Sequence, residues 1–351
     1  MMGTHSVVTV TIPSYNYARY LRECVESAVH QEGVEVDVVI VENASTDGSV
    51  ELARQLRDEY PNVRLVEHAD NHGIICSLNR CRDEIRGDYV VLLCADDCLT
   101  PGSLARSVAF MDAHPNVGMT YGPVIVFSEL SKVKPSQLAA APGPAKIYPG
   151  AEWIDRVCRA RENPIYTPEV VMRTSTLAVA GRLDPACPHT SDLNMWLRMA
   201  SYADVAYLPG QTLAMFRQHE TNHSNAYEGS ALSTIEQKWV AFSAFLDTVA
   251  DRPERARWDT MVRRTLAREA RYSASRAYVK ANGAGPEESQ QLLDLAAVLD
   301  PTKPSGESLS WRVRRSLGPS RSRTFPLFLP RLVLSRLQRV AAEKRRVRSG
   351  V

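Results

Sequence analysis

Two adjacent carboxylates end an apolar run near residue 90 and could do chemistry together. The run 89–95 has no polar alternation, which predicts a strand buried on both faces of a parallel sheet. Asp96 and Asp97 follow it directly, where open α/β sheets bind ligands. The two charges repel each other unless a cation or hydrogen bonds compensate them. The pair alone therefore leaves open a site for a hard divalent cation or a solvated turn.

A second polar cluster, residues 42–48, also follows a predicted strand. The carboxyl ends of parallel strands meet at one edge of a sheet, so this cluster should face the same crevice as Asp96. The amide of Asn43 offers a donor and an acceptor that suit a nucleobase edge. Asp47 has a local alternative, because it precedes a helical pattern that it could cap.

Two further groups bring candidate acids and bases. Asp192 precedes an apolar helical stripe, where it is either a first-turn acid favoured by the helix dipole or a catalytic carboxylate. Arg217 and His219 end another strand, and alternation places them on one face. This pairing favours contact with a phosphate or a metal over a structural histidine.

Alternating strands and helices must position these groups. The first half of the chain predicts strands at 7–12, 34–41, 63–66 and 89–95, with helices at 21–29, 49–59 and 74–86 between them. Short connections between such elements predict right-handed βαβ units and an α/β fold with a mostly parallel sheet flanked by helices. Thr100 and Pro101 then predict the cap and first turn of a further helix.

After residue 115 the pattern is less regular. It predicts strands at 117–121, 124–127, 205–208 and 212–216, helices at 153–159 and 192–200, and an exposed excursion at 131–148. Residues 230–299 read as helical, with a Gly/Pro break at 283–286. We therefore predict a sheet-containing domain at 1–228, a helical extension at 229–300 and a basic amphipathic tail at 301–351.

Composition indicates a globular protein. Of 351 residues 44% are hydrophobic, enough for a core that does not depend on disulfides. The seven cysteines are scattered without zinc-site spacing, which predicts reduced, mostly buried thiols. We see no signal peptide and no apolar stretch of spanning length, so we expect a cytoplasmic protein.

The charge is unevenly distributed. The net charge is +2, yet residues 311–348 hold twelve Lys/Arg and one Glu. Apolar residues interleave with these arginines, which predicts a segment attracted to an anionic membrane, with a disordered or partner-packed extension as the alternative. Nucleic-acid binding is disfavoured, because the rest of the chain is acidic. Association into a homo-oligomer is left open.

Glycine-rich phosphate loops are missing from the sequence. Neither GxGxxG nor GxxxxGK[ST] occurs, which disfavours a dinucleotide or P-loop site. A phosphate ligand would then be held by a metal or by cationic side chains. This strengthens the metal interpretation of Asp96 and Asp97.

Several motifs in one order resemble a known family. They are Pro13-Ser14-Tyr15-Asn16, the segment 41–48, Asn71-His72-Gly73, Ala95-Asp96-Asp97, Ser191-Asp192 and Arg217-Gln218-His219. Over about residues 5–225 this set is similar to the family-2 inverting glycosyltransferases of the GT-A fold.

The resemblance implies a nucleotide-sugar donor bound along the sheet edge, with Mn²⁺ or Mg²⁺ on its diphosphate. Asp192 would be the base that activates the acceptor, Asp97 and His219 would contact the metal, and Arg217 the diphosphate. The implied donor-binding residues are Pro13, Tyr15, Asn16, Glu42, Asn43, Asn71, Gly73, Asn79 and Asp96.

The resemblance also sets the expected reaction. It is transfer of a hexosyl or deoxyhexosyl group with inversion to a glycan, lipid-linked or small-molecule acceptor, in cell-envelope or glycoside biosynthesis. Glu42-Asn43 stands where many members have Asp-Asp, so dTDP-, UDP- and GDP-sugars all remain candidate donors. Ser191 stands where a Glu commonly precedes the base. The alternative is a non-catalytic protein that binds nucleotide sugars or glycans.

Overall fold

The computed structural model of the chain divides into two compact units. Unit 1 comprises Met1–Ile154, Asn163–Glu220 and Gly350, and unit 2 comprises Asp155–Glu162, Thr221–Ser349 and Val351. The structure describes residues 6–138, 141–160, 163–210, 212–220, 222, 230–278, 285–303, 313, 316–318, 321 and 348–351. Most of the predicted tail 301–351 lies outside the described residues, and the predicted three-part domain division remains a prediction.

Unit 1 is built on an eight-stranded sheet in the order β3-β2-β1-β4-β9-β6-β10-β8. Its strands are β1 (Val7–Ser14), β2 (Glu35–Glu42), β3 (Val63–Glu67), β4 (Tyr89–Leu92), β6 (Val117–Tyr121), β8 (Lys146–Tyr148), β9 (Val171–Arg173) and β10 (Asp204–Tyr207). The strands β1 to β4 pair in parallel. The strand β9 runs antiparallel to its two neighbours, β4 and β6. This α/β sheet confirms the predicted fold class.

The first half of the sheet follows from the sequence pattern. Val8, Val10 and Ile12 of β1 are fully buried, because helices cover both faces of a parallel sheet. The covering helices of this half are α1 (Ala18–Val29), α2 (Ser49–Glu59), α3 (Ile74–Asp83) and α4 (Ser103–Ala113). Parallel pairing brings the carboxyl ends of β1, β2 and β4 to one edge, as predicted.

The predicted start of α4 is wrong. The helix begins at Ser103 after Gly102, whose φ of 72° lies in the left-handed region. Thr100 is not the cap, because its hydroxyl donates to the carbonyl of Thr212 at 2.6 Å. This hydrogen bond joins the segment after β4 to the segment around Thr212. Local sequence patterns do not predict a contact between residues so far apart in the chain.

A second, smaller sheet lies beside the end of β4. It joins β5 (Cys98–Leu99), β11 (Ala214–Arg217) and β7 (Val124–Phe127) in the order β5-β11-β7. The strand β11 pairs with the segment that directly follows Asp97, so its end is brought to the acidic pair. The remaining helices of this part of the chain are α5 (Pro135–Leu138), α6 (Gly150–Arg159), α7 (Thr174–Ala180) and α8 (Ser191–Ala200).

Unit 2 contains three long helices, α9 (Ala231–Thr248), α10 (Arg255–Ala277) and α11 (Gly285–Leu299), and α10 packs on both others. Trp258, Val262, Leu266, Ala270 and Ala274 recur at four-residue spacing and are buried along one stripe of α10. Of the predicted break at 283–286, residues 283 and 284 lie outside the described residues, and Gly285 and Pro286 are the first two residues of α11. A proline in the first helical turn loses no hydrogen bond.

In the part of the chain that the structure describes, every helix is too short or too polar to cross a membrane. All seven cysteines are free thiols, and five are buried.

Candidate functional site

The acidic pair is buried in the turn between β4 and β5. Asp96 is 6% exposed and Asp97 is 1% exposed. A carboxylate oxygen of each lies with the Sγ atom of Cys94 in a group whose atoms are all within 4.8 Å of one another. Burial raises the pKa of both carboxyls, and the charge of Asp96 raises that of Asp97 further. Two buried acids this close are unstable as anions unless cationic charge is near them.

His219 joins the pair from beyond the end of β11. Its Nε2 atom is 3.1 Å from Oδ2 of Asp96. The imidazole packs against two tyrosine rings, with centroid distances of 5.0 Å to Tyr20 and 6.2 Å to Tyr17. Carboxylate oxygens and an imidazole nitrogen therefore converge here, and these donors suit a divalent cation such as Mn²⁺.

Arg217 holds the acidic turn in place. Its backbone N–H donates to Oδ1 of Asp97 at 2.8 Å, and its Nε–H donates to the backbone carbonyl of Asp96 at 2.7 Å. The guanidinium lies between the rings of Tyr20 and Phe127, at 4.5 and 4.3 Å from their centroids. The structure thus gives Arg217 a positioning role, and its contact with a diphosphate remains a prediction.

Two loops at the same edge of the sheet are hydrogen-bonded to each other. Asn16 accepts from the N–H of Thr46 at 2.8 Å, and its own N–H donates to the hydroxyl of Ser45 at 2.8 Å. Asn16 and Ala44 both have φ near 60°, which non-glycine residues rarely adopt. Such strained backbone persists where the surrounding structure holds it, and it clusters at functional sites.

The carboxylate of Asp47 has a structural role at the same edge of the sheet. One carboxylate oxygen accepts from the N–H of Ala18 at 3.0 Å, and the other accepts from the N–H and hydroxyl of Ser49. The carboxylate therefore bonds the first turns of α1 and α2 together. The prediction that Asp47 caps α2 is wrong in position, because the N-cap residue is Gly48 and Asp47 instead bonds the first helical residue, Ser49.

Asn43 and Asn71 form one amide network. The Nδ2 of Asn43 donates to Oδ1 of Asn71 at 2.7 Å, and its Oδ1 accepts from the N–H of His72 at 3.1 Å. Oδ1 of Asn71 also accepts from the N–H of Gly73 at 2.8 Å. Gly73 has φ of 80°, a conformation that a side chain would strain. The structure thus brings three predicted donor-binding residues together.

Two buried oxygens at this edge have no hydrogen-bond partner among the described residues. They are Oε2 of Glu42 and Oγ of Ser14, whose residues pair in register across β1 and β2. The other Glu42 oxygen accepts from the N–H of Ser45 at 2.8 Å. Buried polar atoms are normally satisfied, so these atoms indicate where a water or polar ligand would bind.

The remaining predicted donor-binding residues differ in their environment. Pro13 is buried in β1 and Tyr15 is exposed in the loop that follows. Asn79 lies on α3, where its amide both donates to and accepts from the backbone of Leu183 at 3.0 and 2.9 Å. The Asn79 amide thus anchors the segment around Leu183, and its contact with a donor remains a prediction.

Asp192 is in the first turn of α8 and is only partly exposed. Its Oδ1 accepts from the N–H of Leu193 at 2.7 Å, and its Oδ2 accepts from the Asn163 amide at 2.8 Å. Burial raises the pKa of Asp192 to about 6, while these hydrogen bonds lower it. The pKa of the Cys94 thiol is raised by burial and by the charges of three nearby carboxylates, those of Asp97, Asp96 and Asp192. Asp192 is therefore close enough to Cys94 for its charge to act on that thiol.

Sequence reasoning missed the residues that support this site. Asn163 belongs to none of the sequence motifs. Only its hydrogen bond to Asp192 in the structure shows that it is part of the site. Glu23 pairs with Arg217 across 194 residues of chain. Cys94 flanks the acidic pair in the sequence, and that adjacency was the one available signal.

The fold is of the GT-A type, and comparison with known proteins agrees. Residues 9–182 match the model of Glycosyl transferase family 2. The chain belongs to this family, which confirms the predicted resemblance. EpsE of Bacillus subtilis (strain 168) is 28% identical over 153 residues, which are 43% of this chain and 55% of EpsE. The chain thus spans about half the length of this curated relative.

Solved structures share the fold. A crystal structure of S. aureus TarS 1-349 in complex with UDP-GlcNAc matches with a TM-score of 0.60 and 17% identity, over 92% of this chain and 91% of that one. The mannosyltransferase PcManGT from Pyrobaculum calidifontis, in complex with GDP-Man and Mn²⁺, matches with a TM-score of 0.53 and 19% identity, over 96% and 88%. At these identities the likeness concerns the fold alone.

Proposed function

We propose that this protein transfers a sugar from a nucleotide-diphosphate donor to an acceptor hydroxyl, with inversion at the anomeric carbon. The observation that carries the proposal is that a carboxylate of raised pKa, Asp192, interacts electrostatically with Cys94, which lies in one buried group with Asp96 and Asp97. A single-displacement transferase needs these two parts: a base for the acceptor, and a cationic centre for the departing diphosphate.

Asp192 would accept the proton of the acceptor hydroxyl while that oxygen attacks the anomeric carbon. The bond from this carbon to the diphosphate oxygen breaks, and its electron pair leaves with the nucleoside diphosphate. With a pKa of about 6, Asp192 is ionised at neutral pH and is a stronger base than an exposed aspartate. Direct attack from the opposite face gives inversion and requires no enzyme nucleophile.

A divalent cation would be held by Asp96, Asp97 and His219. The sequence-based assignment gave the metal to Asp97 and turned Asp96 toward the donor. The contact of His219 with Asp96 favours Asp96 as a ligand as well, because Oδ1 of Asp97 already accepts from Arg217. The imidazole nitrogen of His219 favours Mn²⁺ over Mg²⁺, which prefers oxygen ligands. A cation bound there would offset the charge that builds on the departing diphosphate.

The nucleoside would bind at the edge formed by Glu42, Asn43, Asn71 and Gly73. The unpartnered Oε2 of Glu42 is an acceptor suited to a ribose hydroxyl or a base N–H. The donors named for the two solved relatives carry uracil and guanine, so the base is not fixed by the fold. A role in cell-envelope glycan synthesis at the cytoplasmic membrane face is part of this proposal.

Donor selection can be tested by thermal shift with a panel of dTDP-, UDP- and GDP-sugars. At a concentration about 100 times its dissociation constant, a bound donor adds roughly 2.7 kcal/mol to the free energy of unfolding. We expect one nucleotide class to raise the melting temperature in Mn²⁺ and to lose this effect in EDTA. The absence of a shift with every donor in Mn²⁺ would contradict the proposal.

A further inference from the structure

A basic pocket lies in unit 2, formed by one face of α10 and the ends of α6 and α11. Its volume is about 270 Å³. Five cationic side chains and one carboxylate line it: Arg159, Arg264, Arg268, Arg271, Lys303 and Asp300. None of these residues belongs to the site of the proposed function.

The helix α10 places three of these arginines on one face. Arg264, Arg268 and Arg271 are four and three residues apart, so they are neighbours on the helix surface. Arg264 and Arg268 are exposed, whereas the stripe containing Val262 and Leu266 is buried. The arginines are therefore not required for the packing of α10.

Arg271 and Asp300 compensate each other. Nη1 of Arg271 is 3.6 Å from Oδ2 of Asp300. Nη2 of Arg271 donates to the backbone carbonyls of Asp300 and Lys303 at 3.1 and 2.9 Å, just beyond the last residue of α11. Cationic groups stabilise this end of a helix, so Arg271 has a structural role. Asp300, with which it pairs, is the only carboxylate among the described residues that line the pocket.

The other cations lack a comparable partner. Arg264 and Arg268 make neither an ion pair nor a hydrogen bond with any residue that the structure describes. Arg159 is 3.6 Å from Asp155, which Arg257 approaches more closely at 2.9 Å. Like charges that converge on one cavity repel each other, and a bound anion would relieve this repulsion.

A second observation also indicates a ligand. The Nε–H of Arg271, a residue of the pocket lining, is buried without an acceptor among the described residues. Buried donors are normally satisfied, and a guanidinium donates readily to phosphate oxygens.

We propose that this basic pocket binds a phosphate group, either a diphosphate or a phosphodiester, independently of the donor site. A volume of about 270 Å³ corresponds to roughly nine water molecules at ~30 Å³ each, which is enough for a diphosphate. The guanidinium fork matches phosphate oxygens in pairs. The chain's own segment 311–348 is no alternative occupant, since it holds twelve cationic residues and one Glu.

The test is calorimetric titration of the full chain with inorganic pyrophosphate in EDTA, where no metal can recruit the anion to Asp96 and Asp97. The double variant Arg264→Gln/Arg268→Gln should weaken binding by at least about tenfold, because both positions donate charge-assisted hydrogen bonds. A matched variant, Arg255→Gln/Arg276→Gln, removes the same charge from α10 outside the pocket lining and should change affinity less than about twofold. Asp96→Asn should bind pyrophosphate like the wild type, which separates this site from the donor site.

Vesicles with phosphatidylglycerol distinguish a lipid headgroup from a free anion. If the pocket accepts a phosphodiester headgroup, Arg264→Gln/Arg268→Gln reduces vesicle binding along with pyrophosphate binding. If it accepts only the free anion, pyrophosphate binding alone falls, which also supports the pocket. The proposal is overturned if the wild type does not bind pyrophosphate in EDTA, or if both double variants bind it equally well.

Discussion

Nε2 of His219 lies 3.1 Å from Oδ2 of Asp96, although 123 residues separate them in the chain. The contact depends on β11, which pairs with β5 just after the acidic turn and ends at Arg217. A cation at this point could be bound by the Nε2 atom of His219 and the Oδ2 atom of Asp96.

Loss of His219 should weaken metal binding without unfolding the protein. We expect His219→Ala to reduce Mn²⁺ affinity by at least about tenfold, because one of few ligands is removed. Electron paramagnetic resonance of free Mn²⁺ during titration measures this directly. His30→Ala, at the C-terminal end of α1 and away from this cluster, is a control that should bind Mn²⁺ like the wild type. Equal affinity in His219→Ala would remove His219 from the proposed metal site.

Arg217 should matter for stability as well as for the site. Its guanidinium is buried and compensates the buried carboxyls of Asp96 and Asp97, whose pKa it lowers, so Arg217→Ala should cost about 3–5 kcal/mol of unfolding free energy. Urea denaturation followed by circular dichroism gives this value. Arg57→Ala, which breaks an exposed pair with Asp58, should leave the free energy of unfolding almost unchanged. Similar costs for the two variants would contradict the positioning role of Arg217.

Asn43 should contribute to donor affinity but not to metal affinity. Asn43→Ala removes the amide that bonds Asn71 and the backbone of His72, and we expect donor affinity to fall about tenfold. Calorimetry with the donor found by thermal shift measures the loss. Mn²⁺ binding without nucleotide serves as the internal control and should be unchanged. A variant with full donor affinity would exclude Asn43 from the nucleoside site.

The rate of transfer should fall below pH 6. Asp192 must be ionised to act as a base, and its pKa is about 6, so kcat/KM should be constant above this pH and decline below it. The hydrogen bond from Asn163 lowers the pKa of Asp192, so Asn163→Ala should move the acid limb to higher pH. An acid limb at the same pH in both proteins would indicate that another group controls it.

The sequence predicted the first half of the fold well because each element there is local. Strand β1 and helix α2 follow directly from apolar runs and helical spacing, and Ser49–Glu59 has the predicted bounds. The start of α4 was not predictable, because the bond between Thr100 and the carbonyl of Thr212 spans 112 residues. Patterns within a short window do not contain such contacts.

The sequence was sufficient to predict the carboxylates of the candidate site. It was not sufficient to predict the residues that hold the site in place. The sequence pattern places Asp96 and Asp97 just after the end of a strand. It places Asp192 at the start of a helix. Their partners Asn163 and Glu23 are ordinary polar residues whose roles arise only when distant segments meet. The basic pocket was missed because helical spacing identifies the face of α10 but not the arrival of Lys303 and Arg159 beside it.

Turnover of Asp192→Asn tests the central claim most directly. With the donor found by thermal shift and saturating Mn²⁺, release of nucleoside diphosphate is measured for the wild type and the variant, alongside the donor affinity of each. We expect unchanged donor affinity and a rate reduced by about 10²–10⁴-fold, the usual contribution of a general base. A variant that releases nucleoside diphosphate as fast as the wild type would contradict the account.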